Sequence, residues 1–534
     1  MRFRLSQAAT IAGLVVVFLV ANRGAYQGYF SDDDLDNLAN TMLAGFDIFW
    51  RGFGSFVYDP FNFRPPGHLV YRWMGQAWGL HFAPYVMLIQ FVHLLNGLLV
   101  YRVARFSLEH RGAAIAAIFF AFHPALLAAH WKPMYIFDLL CGLALMSAYY
   151  CYRRGWWIGS FVLFWCAYKS KEIAILFPLV LLLDEWRGER RWLRWWPFVA
   201  ISLSFSGQAL IANSRRPASP YTLHFNTAAM GECLRFYLRA SWGLPWFFLA
   251  GWAWLKSEER RWMTGGILAA TMLMGPLLFL PGRLFAVYLY VPLMFGSVAA
   301  GAALGRCSAP ILVVALLSYA GFGLRELRAF RRAELTQAQT TREFVESACA
   351  VLKGQKGLTK ATHEGGPAGL NTWGVEGAIR LCSGNLWLVL QQWDLKKISA
   401  EEPVIRWTKM PGLRGVVELT SFDGELSGDW FAWDGSFRWM GEKAGAKVKA
   451  VPGDRRLVLD LAAAPAEEIE LVVNGTTLGN RHLIEHGEQM VNFEMSTRQK
   501  EETLVVELLA KPARRIGSDP RELALAVRSI KATP

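Results

Sequence analysis

Apolar runs broken by short basic or aromatic segments fill roughly the first three-fifths of the chain. They lie near residues 8–21, 84–104, 112–130, 133–152, 156–168, 173–186, 195–212, 228–254, 264–281, 284–304 and 309–323. A helix crossing a bilayer needs ~20 mostly apolar residues, so the pattern predicts a polytopic α-helical membrane protein with about eleven spans. The first run follows Met1-Arg-Phe-Arg4. Further spans follow and no convincing small-residue cleavage site precedes the next acidic residues, so it reads as an uncleaved signal anchor.

The texture changes after Arg332. Residues 333–353 read as a polar helix and 354–372 as a loop rich in Gly, Lys and Thr. From about 373 the period drops to two, as in Arg456-Leu-Val-Leu-Asp-Leu461. Ile469–Val473, Asn474-Gly475 and Thr476–Leu478 form a strong hairpin signal. Leu504–Leu509 and Leu523–Ile530 supply further strands. The predicted organisation is a membrane domain over 1–332, a helix and linker over 333–372, and a β-sandwich or jelly-roll-like soluble domain over 373–534.

Composition supports the division. Hydrophobic residues make up 53% of the chain, with 23 Trp and 35 Phe, a load more typical of membrane proteins than of soluble ones. Residues 1–332 hold 31 Lys+Arg against 16 Asp+Glu, so the excess of positive charge belongs to the apolar part. This fits short cytoplasmic loops and contacts with anionic lipid or phosphate. Nucleic-acid binding would need a basic patch on the soluble module, and the C-terminal part is slightly acidic.

Placing the N-terminus in the cytoplasm puts five basic clusters there: Arg102/Arg105/Arg111, Arg153/Arg154, Arg187/Arg190/Arg191/Arg194, Lys256/Arg260/Arg261 and Arg306. The loop 22–83 and the C-terminal domain then lie outside. Arg325, Arg328, Arg331 and Arg332 break the rule by falling outside as well; either they serve an anionic substrate or the span count is off by one. Of seven cysteines, five lie in or beside apolar runs and read as small buried hydrophobes. Cys349 and Cys382 either pair in an oxidising compartment or remain buried thiols.

The chemistry-bearing residues cluster at loops. Ser31-Asp32-Asp33-Asp34-Leu35-Asp36 follows the first span directly. Crowded carboxylates raise one another's pKa unless a cation is near, so the cluster is either a proton acceptor or a solvated loop with a helix cap. A divalent metal ion is a further candidate occupant. Phe63-Arg64-Pro-Pro-Gly67 makes a stiff corner that either holds Arg64 against an anion or merely turns the chain. His123-Pro124 and His130-Trp-Lys132 are candidates because ionisable groups at membrane depth tend to be functional; a satisfied histidine above a proline kink is the plainer reading of His123. Asp138 needs a partner, with Lys132 a candidate. Lys169-Ser-Lys171-Glu172 is either a polar hairpin or a site where Lys171 meets a lipid phosphate with Glu172 orienting it. Arg283, with Tyr288 and Tyr290, suits phosphate or sugar binding, while the tyrosines alone also read as interfacial anchors. No phosphate-binding Gly loop, dinucleotide fingerprint, zinc-protease motif or nucleophile elbow occurs.

Taken in order, these segments resemble the GT-C superfamily of membrane glycosyltransferases. The likeness is strongest to the membrane half of TPR-containing transmembrane O-mannosyltransferases and their bacterial relatives. It rests on Asp33-Asp34 after the first span, then Phe63-Arg64-Pro65 with Tyr71-Arg72-Trp73, and His93–Leu99 with His123-Pro124. Lys171-Glu172 with a span ending near Asp184, and Arg283 with Tyr288, Tyr290 and Pro292, complete it. Leu126, Ala128 and Ile136 stand where that family carries a His, a Glu and an Arg, with His130 and Lys132 as substitutes, and the TPR array is absent. The C-terminal part resembles jelly-roll modules of bacterial glycosyltransferase-associated proteins through Glu425, Arg438-Trp439, Val473-Asn474-Gly475 and Gly517–Leu523. Trp430, Trp433 and Trp439 there read as sandwich core or as a sugar-stacking platform.

The resemblance implies an enzyme of a bacterial inner membrane that moves a sugar, mannose in the nearest relatives, from a polyprenyl phosphate to an extracytoplasmic protein or glycan with inversion. Asp33 or Asp34 would be the base, with Asp32 a helper. Arg64, His123, His130, Lys132, Lys171, Glu172, Arg283 and Tyr288 would bind substrate. The rival reading is a non-enzymatic transporter of lipid-linked glycans, or an envelope scaffold with a carbohydrate-binding domain. Transporters often show matching halves, and none is visible here.

Overall fold

A computed structural model describes residues 2–59, 63–187, 192–214, 221–241, 260–353, 355, 357–392, 403–408, 416–421, 426–433, 437–483, 487–516 and 521–533. The chain forms two compact units, 1–339 and 340–534.

The first unit is helical. Its helices are α1 (Arg2–Ala21), α2 (Asp34–Leu43), α3 (Phe46–Gly54), α4 (Pro65–Trp78), α5 (Phe82–Ala104), α6 (His110–Ala121), α7 (Ile136–Arg153), α8 (Trp157–Ser170) and α9 (Phe177–Arg187). They continue as α10 (Trp192–Ser214), α11 (Thr227–Ser241), α12 (Arg260–Leu273), α13 (Tyr290–Leu304) and α14 (Ala309–Leu352). Among the described residues five helical stretches are long and apolar enough to cross a membrane: Phe82–Ala104, Pro133–Arg153, Trp192–Ala212, Ala286–Leu304 and Ala309–Leu352. Shorter apolar helices cover Ala12–Ala21 and His110–Ala121. Several expected spans are shorter because polar or Pro-containing corners break them. The run 112–130 stops at Ala121 and resumes as a 3-10 turn over Pro124–His130, and the run 173–186 opens as a 3-10 turn over Glu172–Leu176.

Small residues bring these helices close. A Cβ on Gly301 would strike the backbone carbonyl of Gly112, so α6 and α13 meet nearly backbone to backbone, the small-residue contact that packs helices when lipid removes the hydrophobic drive. Polar groups inside the bundle find partners there. His93 and Asn96 of α5 converge on the Tyr290 hydroxyl at 2.9 and 3.0 Å.

The separate helix expected over 333–353 is the continuation of α14. No proline or helix cap interrupts Arg325–Glu334, so span and polar helix fuse, and the unit boundary falls at 339/340 rather than after 332.

The second unit opens with that helix end. A disulfide joins Cys349 to Cys382 of α15 (Thr372–Ser383). The stretch from 373 is therefore helix, not strand. Asn371 caps it, accepting from the Gly374 N–H at 2.7 Å, and Gly384 ends it at φ +68°. A small sheet contains β1 (Lys360–Glu364), β2 (Val389–Gln392), β3 (Pro403–Thr408) and β4 (Val416–Ser421) in the order β2-β1-β3-β4.

The remaining strands are β5 (Leu426–Trp433), β6 (Arg438–Ala450), β7 (Arg456–Ala463), β8 (Glu468–Val473), β9 (Thr476–His482), β10 (Gln489–Glu494), β11 (Glu502–Lys511) and β12 (Leu525–Thr533). The first part of β6 pairs with β12 and its second part with β11, while β5 pairs with it from Arg438 to Ala446. The strands thus fan into two layers, β10-β7-β12 and β11-β8-β9, that share β6 as a corner. Alternate residues of both layers (Leu457, Leu459 and Leu461 of β7; Leu504, Val506 and Leu508 of β11) enter one core. The expected sandwich is present. Its Asn474-Gly475 hairpin takes φ +49° and +77°. Trp430 belongs to the core and donates to the Gly445 carbonyl at 2.7 Å. Glu425, residues 517–520 and the Trp433 side chain lie outside the described residues.

Candidate active site

The acidic segment folds as a tight turn. Asp32 takes φ +47°, a conformation that Asp tolerates better than most residues. This throws the chain directly into α2. Asp34 sits in the first helical turn, where its charge complements the helix dipole. Its Oδ2 accepts the Ser31 N–H at 2.9 Å and its Oδ1 accepts the Tyr71 hydroxyl at 2.6 Å. Asp34 is 0% exposed. Burial pushes its carboxyl up to about 7, against the opposing pull of Tyr71 and Ser31. Both oxygens are therefore used inside the fold. Asp33, by contrast, is half-buried and close enough to Arg283 and Tyr221 for its charge to act on both. Asp36 lies on the α2 surface and accepts from Asn40 at 2.9 Å.

Lys132 reaches the same turn. Its Nζ lies 3.4 Å from Asp32 and 3.0 Å from Glu334 of α14. It does not pair with Asp138. That carboxylate, in the first turn of α7, receives Lys171 at 2.6 Å to both oxygens. Lys171 can do so because the backbone leaves α8 in an extended conformation there, φ −161°. The Lys171 ammonium also lies 4.8 Å from the Tyr288 ring. Glu172 orients Arg64 rather than Lys171, through a two-point contact of 2.9 and 3.0 Å. Pro65 at the start of α4 fixes the chain beside that guanidinium, which packs over Phe137 at 5.5 Å. A cavity of about 100 Å³ opens next to it, bounded in part by Tyr58, Asp59, Tyr168 and Lys169.

Arg283 differs from these cations. It lies in the corner before the 3-10 turn Ala286–Leu289. The His224 N–H to Phe279 carbonyl bond, 2.8 Å, brings Tyr221 beside it. Its guanidinium sits 4.3 Å from the Tyr221 ring and 5.0 Å from Phe285, and donates to the Tyr288 hydroxyl at 3.3–3.4 Å. Among the described residues no carboxylate lies within ion-pair distance of it. The site thus brings together the acidic turn, Arg64, Lys132, Lys171, Glu172, Arg283 and Tyr288. Tyr135 stands among them, within electrostatic reach of Asp32, Asp138 and Tyr288.

The two histidines do not join this group. His123 caps the turn Pro124–His130 by accepting from Ala125 at 3.2 Å, and its Nε2 bonds the Ser241 carbonyl at 2.6 Å. His130 bonds Asn22 at 3.1 Å and packs among Phe18 and His93. Both are buried. Among the described residues no three His, Cys, Asp or Glu side chains gather as a metal site. The role of Tyr221 was not legible in sequence, because an isolated tyrosine carries no spacing signal, and Tyr71 stood only as part of Tyr71-Arg72-Trp73, with nothing to point it at Asp34.

No protein-family model and no curated protein sequence matches the chain. Among solved structures it is similar to ArnT from Cupriavidus metallidurans bound to undecaprenyl phosphate, with 13% identity and a TM-score of 0.48, covering 75% of this chain and 93% of that one. The same protein in the apo state gives 15% identity and a TM-score of 0.46, covering 77% of this chain and 98% of that one.

Proposed function

We propose that the chain is an integral-membrane glycosyltransferase of GT-C type that moves a sugar from a polyprenyl phosphate to a hydroxyl acceptor outside the cytoplasm, with inversion. The observation that carries this reading is a half-buried carboxylate, Asp33, whose charge acts on Arg283, a cation with no carboxylate within ion-pair distance among the described residues. The acceptor oxygen attacks the anomeric carbon and its proton passes to Asp33. The bond from that carbon to the phosphate oxygen breaks, and the electron pair leaves on the phosphate. Arg283 neutralises the charge that develops there, with the Tyr288 hydroxyl beside it. Arg64 and Lys171 are already paired with Glu172 and Asp138 and hold the wall of the site rigid. Asp34 holds the turn in shape and is a positioning residue, and Asp32 joins the turn to Lys132.

The basic clusters of the loops support a cytoplasmic N-terminus in a bacterial inner membrane. The Cys349–Cys382 disulfide supports an oxidising compartment for the second unit. Mannose is the sugar suggested by the sequence resemblance, and a protein or envelope glycan the acceptor.

The test uses the purified full chain reconstituted with a panel of polyprenyl-phosphate sugars. Asp33→Asn should bind donor normally and lose about 10²–10⁴-fold in turnover. Arg283→Gln should weaken donor binding by about tenfold or more, the worth of a hydrogen bond to a charged group. Unchanged turnover in Asp33→Asn would remove the assigned base.

A further inference from the structure

Helix α14 carries a ridge at 3,4,4,3,4 spacing: Val314, Leu317, Gly321, Arg325, Arg328 and Arg332. Such spacing keeps all six on one helix face. Val314 and Leu317 are 60% and 67% exposed, and the three arginines are exposed as well. The face therefore changes from apolar to cationic within one turn, with no break in the helix. The opposite face is occupied by the protein. Phe330 packs edge-on against Trp131 at 5.6 Å, Arg331 lies against Gly24, and Glu334 meets Lys132 at 3.0 Å. Among the described residues Arg325, Arg328 and Arg332 have no ion-pair partner.

Distances along the helix place this change. From Ala309 to Leu324 the helix is about 24 Å long at roughly 1.5 Å per residue, close to the thickness of a bilayer's hydrocarbon core, about 30 Å. Arg325 to Arg332 covers about 10 Å more, comparable to one headgroup layer of roughly 5–8 Å. The ridge leaves the membrane on the side of the acidic turn, because Lys132 bonds Glu334 and Asp32 together.

We propose that Arg325, Arg328 and Arg332 form a docking stripe for the phosphates of anionic phospholipids in the leaflet that faces the acidic turn. Charge complementarity and the apolar-to-cationic switch on one exposed face identify the occupant. Arginine forks bind phosphate at two points, and each basic residue at a membrane surface contributes about a fivefold preference for anionic lipid. The stripe sets the depth of α14, and through Glu334 and Lys132 the height of the acidic turn above the hydrocarbon.

The experiment places the full chain in phosphatidylcholine nanodiscs with and without phosphatidylglycerol and measures retained lipid by native mass spectrometry. It reads lipid binding and needs no activity. Wild type should retain phosphatidylglycerol selectively. Arg325→Gln/Arg328→Gln/Arg332→Gln should reduce that preference by about two orders of magnitude. Lysine at all three positions should keep most of it, which separates charge from misfolding. Equal retention by wild type and the glutamine variant would overturn the proposal. So would capture of a soluble polyanion such as heparin with no preference for anionic lipid.

Discussion

The Tyr71→Phe variant probes the central assignment, that Asp34 is a buried positioning group. The rise of its pKa from 3.8 to about 7, at about 1.4 kcal/mol per unit, makes ionising Asp34 in the folded protein cost roughly 4 kcal/mol. The protonated form is therefore the better folded one. The stability linked to Asp34 is fully present below its unfolded pKa and is lost as pH rises to about 7. Tyr71 donates to the carboxylate at 2.6 Å, and a hydrogen bond to a charged group is worth about 1.5–3 kcal/mol. Removing it should raise the Asp34 pKa by a further 1–2 units, to about 8–9. The assay is thermal unfolding of the detergent-solubilised chain across pH 4–10. Wild type should lose stability up to about pH 7 and then level off. Tyr71→Phe should continue to lose it up to about pH 8–9. Coincident profiles would refute the coupling of Tyr71 to Asp34, and with it the argument that Asp34 is spent on structure.

Two further outcomes follow from pairs described above. Asp138→Asn should destabilise the chain by about 3–5 kcal/mol by stranding Lys171 without its carboxylate, and Asp138→Asn/Lys171→Met should recover most of that loss; a double-mutant cycle in thermal unfolding reads it. Cys349→Ser/Cys382→Ser releases a crosslink with a sequence separation of 33, and the second unit should lose about 3–4 kcal/mol from loop entropy, read as a lower midpoint of its own unfolding transition.

The membrane helices were legible because apolar runs survive any detail of packing. Their lengths were not, because His123-Pro124 and Lys171-Glu172 interrupt runs whose composition looks continuous. The C-terminal alternation gave the sandwich core, and Asn474-Gly475 gave its hairpin. Helix α15 was misread as strand although its signals, Asn371 before it and Gly384 after it, were present. Its twelve residues include two Gly and the strand-favouring Thr372, Trp373, Val375 and Ile379, which mask a helical period. Among the site residues, the acidic cluster after the first span and Arg283 could be named as candidates from local context. The pairing could not. Lys132, Asp138, Lys171 and Glu172 are all charged and all near corners, and only three-dimensional placement decides which carboxylate each cation meets. Burial alone separates Asp34 from Asp33, since the two are identical neighbours in sequence.

The Lys132 bridge has a consequence for biogenesis. Asp32 and Lys132 are 100 residues apart, and Glu334 belongs to α14, the last of the described helices that are long and apolar enough to cross a membrane. A chain inserted from its N-terminus thus has only Asp32 to offer Lys132 until α14 arrives with Glu334. Arrival of α14 completes the Lys132 bridge, so a nascent or truncated chain lacking that helix carries the acidic turn without Glu334 beside Lys132.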